Sequence, residues 1–175
     1  MKKQLYILSI LALSVHGNAQ RQIFVNGPDV TVSTQAGTLQ PISVAGSNYT
    51  NDYLSPTNLI NISVTIPGSI LFSQGSRVYV SQSPINWPQS LQLFVRRTGD
   101  GNPCGGCTIA ENSTNDFYLV TNNASSFMLP RTNVFILGGG GTYSNIPVQI
   151  KISGVSVTLP AATYSTNITF TVTAP

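Results

Sequence analysis

From Asn167 to Thr173 the chain alternates without a break. Ile168, Phe170 and Val172 fall on one face; Thr169, Thr171 and Thr173 fall on the other. A period of two marks a strand with one buried and one wetted face. The residues are β-branched or aromatic almost throughout, which suits a pleated surface. The same alternation recurs at 59–66, where Ile60, Ile62, Val64 and Ile66 share a face. It returns at 90–97, through Leu91, Leu93 and Val95, and at 146–152, through Ile146, Val148, Ile150 and Ile152. Shorter strand-like runs lie at 23–25, 30–34, 39–44, 77–81, 116–121, 127–129 and 133–137. Between the runs stand Asn26-Gly27-Pro28-Asp29, Pro67-Gly68, Ser83-Pro84 and the four glycines 138–141, all turn or bulge signals. No stretch carries a 3.6-residue period. The pattern predicts an all-β protein, a single antiparallel β-sandwich of roughly nine to eleven short strands.

The first residues read differently. Met1-Lys2-Lys3-Gln4 is a short basic segment, 5–15 is an apolar stretch, and Gly17-Asn18-Ala19 places small residues where a signal peptidase reads. Residues 1–19 are expected to be a cleaved signal peptide, leaving Gln20 first. The apolar stretch is shorter than the ~20 residues that cross a bilayer, so no membrane span is expected. The sequence then divides into an N-terminal strand segment, 20–37, and a sandwich domain, 38–175. The expected location is outside the cell, secreted or on the cell surface.

Composition sharpens this picture. Only 7% of the 175 residues are charged, and the polar positions are filled by Ser, Thr and Asn. Disordered chains usually combine high charge with few β-branched residues, so this composition favours a folded domain. The formal charge of +3 includes Lys2 and Lys3. Beyond residue 19, six cations (Arg21, Arg77, Arg96, Arg97, Arg131 and Lys151) face five acids (Asp29, Asp52, Asp100, Glu111 and Asp116), a net charge of +1. Only Arg96-Arg97 is clustered, and adjacent strand residues point to opposite faces. A nucleic-acid partner is therefore not expected.

Candidate chemistry is sparse. Cys104-Gly105-Gly106-Cys107 is expected to form a structural disulfide in an exported protein. A redox role would place the first cysteine at a helix N-terminus, and zinc would need a second ligand pair. His16, the one histidine, lies in the leader, so the mature chain offers no Ser-His or Cys-His couple. The acids are scattered, Asp100 falls short of a calcium loop, and no Lys-Ser/Thr follows the glycine run. No enzymatic activity, cofactor or metal is expected. Asn48, Asn61, Asn112, Asn123 and Asn167 open Asn-x-Ser/Thr triplets, which a composition this rich in Asn, Ser and Thr produces by itself.

Leu159-Pro160-Ala161-Ala162-Thr163-Tyr164, followed by the Thr-rich terminal strand, resembles the end of chaperone–usher pilins and of spore-coat-U-type pilus subunits. The resemblance spans about fifteen residues. It implies an immunoglobulin-like sandwich lacking one strand, with Ile168, Phe170 and Val172 lining the acceptor groove. Ile23, Val25, Val30 and Val32 would be the side chains of the donated strand, although Asn26-Gly27-Pro28 interrupts that stretch. The function implied is a structural subunit of an extracellular filament, assembled by strand addition and supporting adhesion or biofilm. Its partners would be copies of itself, with a periplasmic chaperone and an outer-membrane assembly protein. The alternative is a self-contained sandwich adhesin, with Tyr49, Tyr53, Trp87 and Tyr143 stacking on carbohydrate or host surface.

Overall fold

The computed structural model describes residues 20–29, 44–49, 52–68, 74–111, 114–132, 140–160 and 162–175. These residues hold ten strands and no helix. In chain order they are β1 (Gln22–Asn26), β2 (Tyr53–Leu54), β3 (Ile60–Ile66), β4 (Arg77–Asn86) and β5 (Gln92–Arg97), then β6 (Cys107–Ala110), β7 (Tyr118–Val120), β8 (Ser125–Thr132), β9 (Gly141–Ser153) and β10 (Ser165–Thr173). One sheet runs β1-β3-β9-β5-β7, with β2 also paired to β9; the other runs β10-β4-β8-β6. Every pairing is antiparallel.

The two sheets share one core. β3 supplies Ile60, Ile62, Val64 and Ile66, all buried, as the alternation predicts. β5 supplies Leu93 and Val95, β4 supplies Val78 and Val80, and β8 adds Phe127 and Met128. Hydrogen bonds also run between the sheets. The Ser76 hydroxyl donates to the Thr65 carbonyl at 2.9 Å, and the Gln82 amide donates to the Thr121 carbonyl at 2.8 Å.

β9 departs from the simple alternation. Tyr143 points into the core, and so do Ile146, Val148, Ile150 and Ile152, so the inward parity changes between 143 and 146. Asn145 sits at φ 55°, and the register with β3 shifts between Ile62 and Val64. One extra residue in a bulge is what re-aims the side chains; asparagine tolerates the left-handed conformation better than most residues. The Asn145 amide donates to the Ser63 hydroxyl, which steadies the bulge.

Several short elements differ from the expectation. Tyr53, expected as a ring free to stack on a ligand, opens β2, pairs with Ile152 and is 6% exposed. Cys107–Ala110, which no alternation marks as a strand, is β6. The glycine run was expected to be a turn, but Gly141 already belongs to β9. The expected strands at 30–34, 39–44 and 133–137 lie wholly or mostly outside the described residues, as does residues 1–19, the expected leader.

The core predicts its own sensitivity. Ile62 is fully buried at the centre of β3. Ile62→Ala should cost about 2–5 kcal/mol of unfolding free energy in a denaturant titration. The outward neighbour Ser63→Ala empties no cavity and should cost only the hydrogen bond from the Asn145 amide, about 0.5–1.5 kcal/mol.

Candidate functional site

β10 hydrogen-bonds to β4 along its whole length, from Ser165 opposite Asn86 to Thr173 opposite Arg77. Among the described residues, no strand pairs with its other edge. Its inward side chains Ile168, Phe170 and Val172 are only half-buried, although they rest on the core. The Phe170 ring lies 6.0 Å from that of Phe127, tilted at 48°. The three expected groove residues are thus brought together on one face at an open edge.

Open edges are usually blunted. Short strands, lysines, prolines and bulges keep them from pairing with another chain. β7 has three residues and β6 has four. β10 has nine, with no charge and no proline, and its one register shift lies at the very start, between Ser165 and Thr166. It is the long, regular edge of this fold.

The corner before β10 is firmly built. The Tyr164 hydroxyl donates to the Pro160 carbonyl at 2.7 Å, and the Asn86 side-chain amide donates to the Thr163 carbonyl at 2.9 Å. These bonds fix where β10 begins and therefore which of its faces meets the core.

β1 flanks β10 as the edge of the opposite sheet. It pairs with β3 of its own chain, Ile23 opposite Val64 and Val25 opposite Ile62. Arg21 secures its start by donating from Nε to the Gly75 carbonyl at 3.1 Å. Of the four expected donor side chains, Ile23 is half-buried on the core and Val25 is 48% exposed. Val30 and Val32 lie outside the described residues. Phe24, facing outward on β1, is 60% exposed.

Two buried polar atoms lie on the inward side of the sheet near the first residues of β10. Gln82 stands opposite Ile168, and Thr166 lies two residues before Ile168 on β10, so both share the inward face. The Gln82 side-chain carbonyl and the Thr166 hydroxyl are buried, and neither has a hydrogen-bond partner.

The candidate stacking rings do not form a site. Tyr53 and Tyr143 are core residues, 6% and 2% exposed, because both occupy inward positions on strands of the larger sheet. They have no ring face to offer a ligand. Trp87 and Tyr49 are half-buried against the core, and the Trp87 indole donates to the Leu91 carbonyl at 2.9 Å. Burial and the nearby Asp100 carboxylate hold the Tyr143 phenol above its ordinary pKa, with Arg97 opposing. Arg97 itself pairs with Asp100.

A different aromatic cluster, on the outer face of the larger sheet, went unseen in the sequence. Lys151 lies 4.4 Å from the Phe94 ring centroid and 4.9 Å from that of Phe117, while Arg96 lies 4.5 Å over Phe117. Asp52 pairs with Lys151 at 3.6 Å, and Arg96 donates to the Gln149 side chain. Its members are spread over about a hundred residues of sequence; the alternating positions 94 and 96 were the one available signal.

Cys104 and Cys107 form the expected disulfide, across Cα atoms 5.1 Å apart. The Cys107 amide donates to the Cys104 carbonyl, closing a turn in which Gly106 takes φ 73°. The bridge rests on Gly141, where an added Cβ would lie 2.6 Å from Cys104 Cβ and 2.9 Å from its sulfur. Among the described residues, no group of three or more His, Cys, Asp or Glu is placed to hold a metal ion. Gly141→Ala should therefore destabilise the oxidised protein by about 1–3 kcal/mol. Reduction frees Cys104 to move, so the penalty should shrink in reductant. An equal penalty in both states would mean the bridge does not set the contact.

No protein-family model, curated protein or solved structure matches the chain.

Proposed function

We propose that this protein is a structural subunit of an extracellular surface filament, whose copies join by strand addition along the open edge of β10. The observation that carries the reading is that edge: nine residues long, uncharged, free of proline, and backed by three half-covered apolar side chains. A strand laid beside it satisfies the backbone groups and covers Ile168, Phe170 and Val172 in one step.

The strand order supports this reading. An immunoglobulin-like sandwich arranges strands A, B, E and D in one sheet and C, F and G in the other. Here β1, β3, β9 and β5 follow the A-B-E-D order, and β4 with β10 follows C and F. β6, β7 and β8 are then insertions between D and E. The Tyr164 bond to the Pro160 carbonyl matches the tyrosine corner that precedes strand F in such folds. The place of G beside β10 takes no strand among the described residues. Addition of a neighbour's strand there is head-to-tail, and head-to-tail contacts that do not close make filaments. Export through the leader, a periplasmic chaperone to shield the edge and an outer-membrane assembly protein fit the same reading. A role in adhesion or biofilm would follow from the polymer.

The carbohydrate-binding adhesin is less well supported, since two of its four rings are core residues.

Electron microscopy of the mature protein from Gln20, refolded and concentrated, tests the reading. Filaments are expected, with width set by one subunit. Monodisperse folded monomers at every concentration would contradict it.

A further inference from the structure

The inward face along the open edge of β10 is not uniformly apolar. Ile168, Phe170 and Val172 make one part of its inward face apolar, whereas the end near the Tyr164 corner holds the buried Gln82 carbonyl and the buried Thr166 hydroxyl. A buried acceptor without a donor costs free energy in the isolated subunit. An incoming strand that brings a hydroxyl to this end removes the cost; one that brings a methyl makes it permanent.

Resting on the strand-addition reading, we infer that Gln82 and Thr166 form a polar stop that sets the register and direction of the strand a second copy lays on β10. The chain contains a stretch with the required pattern. Val30, Val32 and Thr34 alternate as apolar, apolar and hydroxyl. Laid antiparallel, with Val30 opposite Phe170 and Val32 opposite Ile168, the stretch brings Thr34 opposite Thr166. A parallel placement with Val30 opposite Thr166 would put Thr34 over Phe170 and a valine on the polar stop. The antiparallel direction also matches every other pairing in the two sheets.

The ends of the undescribed stretch are well placed for such an exchange. The described chain leaves off at Asp29, just past β1, which flanks β10. It resumes at Val44, and the Asn48 side chain accepts from the Val157 amide, in the connection that leads to β10. Fourteen residues separate these two anchors. At ~3.3 Å per residue a stretch of this length, held at both ends, can extend about 25 Å from its anchors, enough to lie along an abutting copy.

The test uses a mature chain carrying Val30→Asp and Val32→Asp, so that its own stretch does not compete. The probe is a capped synthetic peptide with the sequence of residues 28–35, titrated against its T34V form. The wild-type peptide should bind roughly tenfold more tightly than T34V, the effect of one hydrogen bond to an otherwise unpaired buried group. In a chain also carrying Thr166→Val and Gln82→Met, the two peptides should bind alike. Thr166→Val alone should leave the isolated subunit as stable or more stable, yet weaken the filament; a merely structural role would not reverse sign. Equal binding of both peptides by the chain that keeps Gln82 and Thr166 would overturn the polar stop and leave strand addition standing. Binding of neither peptide would overturn both.

Discussion

The constraint on which this structure turns is backbone hydrogen bonding at the edge of a sheet. Every strand residue other than proline has an amide and a carbonyl to satisfy, and a strand paired on one side satisfies only half of them within the sheet. Water can take the rest, but a long, straight, uncharged edge also serves as a template for another strand. β10 is such an edge. Its neighbours in the fold have been kept short or turned away: β6 and β7 have three or four residues, and β1 runs into Asn26-Gly27-Pro28. Among the described edge strands, β10 combines length with a regular run of Thr and apolar residues.

The rest of the molecule holds that edge in place. β3 and β9 build the centre of the larger sheet, and their buried faces fix where the smaller sheet sits. The Asn145 bulge keeps both halves of β9 facing the core. The Tyr164 corner and the Asn86 side chain determine where β10 starts. Phe127, packed between Tyr118 and Phe170, links β10's inward face to β7 across the core. An ordered frame that presents one long open edge among the described residues is the physical content of the proposed assembly: binding completes a sheet that is already ordered, so little conformational entropy is lost by the acceptor.

Much of the frame was legible in the sequence because it depends on local pattern. The period of two marked the inward residues of β3, β5 and β10 directly. It failed at β9, where a one-residue bulge shifts the parity and hides Tyr143 among glycine and serine. It also failed at β2, where two residues are too few to carry a period and Tyr53 is buried by its pairing with Ile152. The inward triplet of β10 could be named from sequence; the openness of its edge could not, because pairing joins residues far apart in the chain. Gln82 and Thr166 were invisible for the same reason. Each is an ordinary polar residue until its partner strand places it indoors.

Residue-resolved amide exchange along β10, in dilute and in concentrated protein, tests the central claim most directly. In a strand paired on one side, alternate amides face the neighbour and the rest face the open edge. About half of the β10 amides should exchange quickly in dilute monomer, and these should become protected as copies assemble. Protection of all β10 amides at every dilution would contradict it, since the edge would then be closed within a single chain.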